Sequence, residues 1–268
     1  SSPYGGWLDQ LSRTLLHQGH HLCVVYPAND MAQGAEGRFA YQTFVSSNAR
    51  QALIDVVLAR QPDVVHIWGT EFAHSYIMTE ALKSLGQINK AVISIQGLVS
   101  VYANHYVLKL PQRVIHGYTM RDALRRMNIY RGMADFRARG VTEIRALRNV
   151  QHIIGRTSWD KACAKQIHPE AMYHHCGEIL RRAFYQARWS LENCERHSVF
   201  VSQASYPIKG FHIMLEAMGE IVKRYPQARV YVAGHDPAYW GAPFKLRLRR
   251  GYYGKYLVSL IRQYGLQN

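Results

Sequence analysis

Between Val199 and Gly234 the chain switches from one hydrophobic periodicity to another and back. A β-branched and aromatic run at Val199, Phe200 and Val201 gives way to a loop holding Pro207. Apolar residues then recur at helical spacing, at Phe211, Met214, Leu215, Met218, Ile221 and Val222, before Pro226 and a second strand pattern from Val230 to Ala233. The spacing predicts a βαβ unit with a right-handed crossover.

The same alternation organises the rest of the chain. Trp7, Leu8, Leu11, Leu15 and Leu16 predict a helix ended by Gly19, and HLCVVYP, from His21, predicts a buried strand. Residues 27–47, with Gly34 and Gly37, read as an irregular polar loop. A helix is expected from about Asn48 to Arg60, then a strand from Asp63 to Trp68. That strand is a near-continuous apolar run, as a parallel strand covered on both faces should be. A helix through Phe72, Ile77, Met78, Ala81, Leu82 and Leu85 precedes the strand AVISI, from Ala91. Residues 101–148 are helical and interrupted. A strand is expected after Asn149, a helix from about Thr157, and an extended piece ending near Cys176. The polar stretch Tyr185–His197 suits a linker, and a basic run (Lys245, Arg247, Arg249, Arg250, Lys255) leads into an amphipathic helix. The pattern predicts an α/β chain of two parts, 1–184 and 198–268, joined by 185–197.

Composition narrows the class. The chain has 268 residues, 48% of them hydrophobic, enough for two packed domains rather than a disordered chain. No run approaches the ~20 apolar residues of a membrane span, and no signal-peptide pattern opens the sequence, so a cytoplasmic protein is expected. Cys23, Cys163, Cys176 and Cys194 are scattered with no CxxC pair, which points to thiols in a reducing compartment. Lys and Arg total 33 against 18 Asp and Glu, a net charge of +15. Such a field attracts nucleic acid, anionic lipid or phosphorylated substrates.

Candidate chemistry sits at the carboxyl ends of the expected strands. Lys209 and Gly210 lie where the first strand of the βαβ unit turns into its helix. Amides, helix dipole and ammonium together suit a diphosphate there, against the alternative of a solvated turn, and neither GxxxxGK[ST] nor GxGxxG is present. Gly5 and Gly6 before the first helix offer a similar loop. Thr70 and Glu71 follow the strand 63–68 at the edge where open α/β sheets bind ligands, while His66, inside it, reads as a core histidine. His168, His174, His175 and Cys176 lack a second ligand pair at zinc spacing, and adjacent strand residues face opposite ways, so no metal is expected. The arginines between Arg113 and Arg148 group along helical faces, as either a solvated surface or a patch facing an anionic membrane. Met127, Ile129, Tyr130 and Met133 would insert there or belong to the core.

The stretch Val199–Gly234, with strand, Lys-Gly, helix, Tyr-Pro, strand and Gly, resembles the first βαβ unit of the carboxyl-terminal domain in retaining glycosyltransferases of family four. In that family an Arg and a Lys hold the diphosphate of a nucleotide sugar. Lys209 matches the Lys, whereas Ser202 and Gln203 stand where Gly and Arg are usual. The strand before Gln96-Gly97-Leu98 often ends there in His-Gly, and Gln96 replaces the His with an amide that does not titrate near neutrality. The stretch from Gly155 (GRTSWD) to Tyr185 is similar to the interdomain part of a bacterial polysaccharide branch, which implies that Arg156, Glu178 and Arg181 face the cleft.

The resemblance implies a GT-B architecture: two Rossmann-like domains with parallel sheets facing a cleft, the acceptor on 1–184 and the donor nucleotide on 198–268. It also implies a chain truncated at both ends, with the strand before Gly5-Gly6 and a later glutamate pair outside it. The implied site comprises Lys209, Gly210, Gln203, Gly5 and Gly6 for the donor diphosphate, Thr70, Gly97, Arg156, Glu178 and Arg181 at the cleft, and Gln96 or Glu71 as catalytic candidates. The substrates would be a nucleotide-diphosphate sugar and a saccharide or lipid-linked acceptor, reached at the inner face of a membrane through residues 113–148. No cofactor, metal or nucleic acid is expected. Two alternatives stay open: a nucleic-acid-binding protein, from the charge and 18 tyrosines, and a non-catalytic remnant, from Gln203 and Gln96.

Overall fold

The computed structural model describes residues 6–267. The chain is α/β with parallel sheets and divides into two compact units, one of residues up to 101 with 139–188, the other of 102–138 with the residues from 189 onward.

The first unit holds two sheets. Strand β1 (Leu22–Pro27) runs parallel to β3 (Phe39–Phe44), and β2 (Gln33–Glu36) pairs antiparallel with β3, in the order β1-β3-β2. Two features depart from expectation. Most of the loop expected over 27–47 is strand, because FAYQTF is rich in β-formers and Gly37, at φ +58°, turns the chain between β2 and β3. The β1 strand, expected to be buried, is only half-buried, with Tyr26 and Pro27 exposed.

The larger sheet contains β4 (Val65–Trp68), β5 (Ala91–Ser94), β6 (His152–Gly155) and β7 (Met172–His175), all parallel and in that order. Its connections run through helices Ala73–Ser84, Ile129–Asn149 and Ser158–Ile167. With strands added in one direction, right-handed crossovers put all three helices over one face. Burial agrees: Ile67, Ile93 and Ile153 pack with Leu82, Leu147 and Ala164 in a single core. Each such Ile or Leu side chain contributes roughly 1.5–3 kcal/mol on leaving water. Residues of the opposite register, His66, Trp68, Val92, His152 and Ile154, stay half-buried. The helix Ser158–Ile167 starts at a capping box in which Thr157 Oγ1 accepts from Asp160 N at 3.0 Å, and Asp160 Oδ2 accepts from Thr157 N at 3.1 Å.

The second unit contains the expected βαβ: β8 (Ser198–Val201) and β9 (Arg229–Val232) are parallel, with helix Phe211–Arg224 between them. Phe211 and Leu215 pack with Tyr256, Leu257, Leu260 and Ile261 of the helix Tyr252–Gln263. The same core takes Tyr106, Leu110, Val114, Ile115, Ile129 and Met133. Residues 102–138 thus pack with the second unit, whereas the sequence reading joins them to 1–184. Apolar spacing shows that these helical turns bury one face, but not which partner receives it. His212 is buried in this core, its Nε2 donating to Leu108 O at 2.8 Å and its Nδ1 accepting from Tyr253 Oη at 3.2 Å. Burial pushes the imidazole pKa down.

Candidate functional site

In the first unit the parallel sheet delivers loops to one edge: Gly69, Thr70 and Glu71 after β4, Gln96 and Gly97 after β5, Arg156 after β6, and Glu178 beyond β7. A cavity of about 270 Å³ opens beside this edge, walled by Leu11, Leu15, Trp68, Gln96, Arg156 and Glu178. Leu11 and Leu15 come from the helix Gly6–His17, four residues apart on one face. Arg156 is the organising cation. Its Nη2 donates to Gln96 O at 3.0 Å and its Nη1 lies 2.9 Å from Glu178 Oε1. That ion pair is off the hydrogen-bond line, so the shielded Glu178 Oε1 accepts no hydrogen bond.

The other candidates of this unit divide. Gln96 lines the cavity. Thr70 is fully buried and serves the scaffold: its Oγ1 lies 3.0 Å from Gly97 O and 2.5 Å from Glu143 Oε2, and its one proton serves one acceptor at a time. Gly97 is thereby tied through its carbonyl. Glu71 does not wall the cavity, and burial raises its carboxyl pKa. Arg181 is exposed, immediately before the short helix Arg182–Gln186, and is not part of the cavity wall. Gly6 opens the first helix, and Gly5 lies outside the described residues.

Glu143 is the residue that sequence reasoning misses. It is fully buried, and its Oε1 accepts from Ser100 N at 2.8 Å and Ser100 Oγ at 2.6 Å while Oε2 accepts from Val99 N at 3.2 Å. One carboxylate so anchors the loop 96–100 that carries Gln96. Its only sequence signal is an acid set among apolar positions of a long helix.

His66 contacts Ser94 Oγ at 2.6 Å and sits against Trp68, with ring centroids 4.7 Å apart. It also belongs to the cavity wall, so it is a bonded histidine at the rim of a ligand space rather than a core residue alone. Burial lowers its pKa from 6.5 to about 4. A depressed histidine pKa gives stability that is complete above the unfolded value and is lost as pH falls toward the folded one. Between pH 7 and 4.5 this one group is expected to cost on the order of 2–3 kcal/mol. Urea unfolding at both pH values should show the loss in the native chain and a smaller one in His66→Asn. The difference isolates the imidazole from Glu71, whose raised pKa acts in the opposite sense.

In the second unit, Ser202 and Gln203 follow β8, and a 3₁₀ turn, Pro207–Lys209, leads into the helix at Gly210. Gly210 has φ +71°, which an L-residue adopts only with strain, so glycine is required for this entry. The amides of Lys209 and Gly210 are used within the turn, donating to Tyr206 O at 3.0 Å and Pro207 O at 2.9 Å. Ile213 N donates to Gly210 O at 2.9 Å, so the first-turn amides that a helix start leaves open are those of Phe211 and His212. Lys209 is exposed with its Nζ 5.6 Å from the Tyr206 ring centroid, and Gln203 is exposed too.

The histidines weighed as metal ligands disperse. His168 contacts Leu147 O at 3.0 Å, His175 contacts Arg156 O at 2.9 Å, and His174 contacts His152 at 3.0 Å. Among the described residues, no group of three or more His, Cys, Asp or Glu is placed to hold a metal ion. No known family model and no curated protein matches the chain.

Proposed function

We propose that the chain is a glycosyltransferase of GT-B architecture that moves a sugar from a nucleotide-diphosphate donor to a hydroxyl of a saccharide or lipid-linked acceptor. The observation that carries this reading is the turn before helix Phe211–Arg224. It puts an exposed lysine, Lys209, immediately before the N-cap Gly210 of a 14-residue helix, whose first-turn amides lie at its positive end. Gln203, at the end of β8, adds a neutral amide. As the bond from the anomeric carbon to phosphate oxygen breaks, its electron pair goes to the diphosphate, and this group of donors neutralises the growing charge. The acceptor hydroxyl forms the new bond on the same face, and its proton passes to the departing phosphate oxygen.

The cavity of the first unit supports the acceptor half of the reading. About 270 Å³ is just under the ~300–1,000 Å³ of ordinary small-molecule sites, room for one sugar-sized ring. Trp68 supplies an apolar face, and Arg156, Gln96 and Glu178 supply the donors and acceptors that hydroxyls need. Incubation with a panel of nucleotide sugars and simple saccharides tests the reading. Release of nucleoside diphosphate from one donor, increased by a saccharide, is the expected result; no release from any donor would contradict it.

A further inference from the structure

Residues 118–131 carry several large apolar side chains that are left mostly exposed. Met120 and Leu124 are 84% and 83% exposed, and Tyr118, Met127 and Tyr130 are exposed as well. At about 100° per residue, Met120 and Leu124 share one side of the helix Met120–Leu124, with Arg121 and Arg125 flanking it and Asp122 on the far side. Asp122 is buried and fixes the segment. Its Oδ2 accepts from Thr119 N at 2.9 Å and from Tyr252 N at 2.8 Å. Arg126 then takes a left-handed conformation, φ +51°, where glycine would sit without strain. Ile129 and Met133, two of the four residues weighed for insertion, are core.

A second segment of the same unit has the same character. Immediately before Tyr252, the run Phe244–Arg250 alternates apolar and basic residues. Phe244 and Leu248 are exposed, as are Lys245, Arg247 and Arg249. The Asp122–Tyr252 bond ties the two segments together. Residues 102–134 hold six Lys and Arg against one acid, the inward Asp122, and residues 244–250 hold four against none.

We infer that these two segments form a docking surface for an anionic lipid membrane, with Met120, Leu124, Phe244 and Leu248 entering the interface and the arginines meeting the headgroups. Monomeric proteins rarely leave such large apolar side chains grouped in the open, and the charge complementarity chooses anionic lipid over a neutral partner. The attachment lies in the interface plane: among the described residues no helix is long and apolar enough to cross a membrane. The inference stands independently of glycosyl transfer.

The test is flotation of the purified chain with vesicles of phosphatidylcholine, with or without 30% phosphatidylglycerol, at low and high salt. The native chain is expected to float with the anionic vesicles at least tenfold better than with neutral ones, and less so at high salt. Met120→Ser with Leu124→Ser should lower partitioning about tenfold or more. Arg125→Gln with Arg126→Gln should lower it about 25-fold, at roughly fivefold per arginine. All four positions are solvent-facing or nearly so, and an unchanged melting temperature will show that the variants fold. Equal binding to neutral vesicles, no binding to anionic ones, or binding indifferent to both pairs would overturn the proposal. So would self-association of the native chain that Met120→Ser with Leu124→Ser abolishes in the absence of any vesicle binding, since the face would then belong to a second copy.

Discussion

Replacing Glu143 by alanine is expected to lower the stability of the first unit by roughly 3–4 kcal/mol, the cost of leaving several buried donors without an acceptor. The carboxylate is fully buried and accepts from Ser100 N, Ser100 Oγ and Val99 N, with Thr70 Oγ1 at 2.5 Å. A methyl group satisfies none of them and leaves a void that the helix Ile129–Asn149 cannot close. Gly140, one turn earlier, already packs so tightly on Ser100 that an added Cβ would lie 2.7 Å from its Cα. The melting temperature should fall by on the order of 10 °C. Glu143→Gln, which keeps the shape and one acceptor oxygen, should lose less. A shift below about 2 °C for the alanine variant would show that the carboxylate does not anchor the loop.

The second large effect is on chemistry. If Lys209 neutralises a departing diphosphate, Lys209→Met should reduce kcat by about 10²–10³-fold, as removal of one preorganised charge-stabilising donor does elsewhere. On the same reading the acceptor KM should be unchanged, because the acceptor is assigned to the cavity of the first unit. Lys209→Arg should recover part of the rate, since the charge returns on a wider, planar group. Lys209 is exposed and, among the described residues, bonded to no carboxylate, so its loss should leave the fold intact. A Lys209→Met rate within about threefold of native would remove the residue from the mechanism.

How far the sequence could be read depended on the range of the interactions involved. The strands β4, β5, β6, β8 and β9 and the long helices follow from apolar spacing, because each buries a continuous face. The carboxyl-edge placement of Thr70 and Glu71 follows from parallel-sheet topology, which needs only element order, whereas Gln96, Arg156 and Glu178 were indicated by the family resemblance. What failed was non-local. Thr70 and Glu143 are 73 residues apart, and nothing near either one announces the contact that turns Thr70 from a ligand candidate into scaffold. The attachment of residues 102–138 to the second unit, and the exposure of Met120 and Leu124 beside buried Ile129 and Met133, are likewise set by partners that an apolar letter does not name. The short β2 and β3 were hidden by their polar surroundings, although Phe39–Phe44 carries a β-forming composition.

Calorimetric titration of the native chain with uridine, guanosine and adenosine diphosphates tests the diphosphate grip most directly. The account predicts that at least one binds with measurable heat, more tightly than its monophosphate, and that Lys209→Met weakens it at least tenfold while Glu178→Gln leaves it unchanged. No heat with any diphosphate, or equal affinity in Lys209→Met, would contradict it.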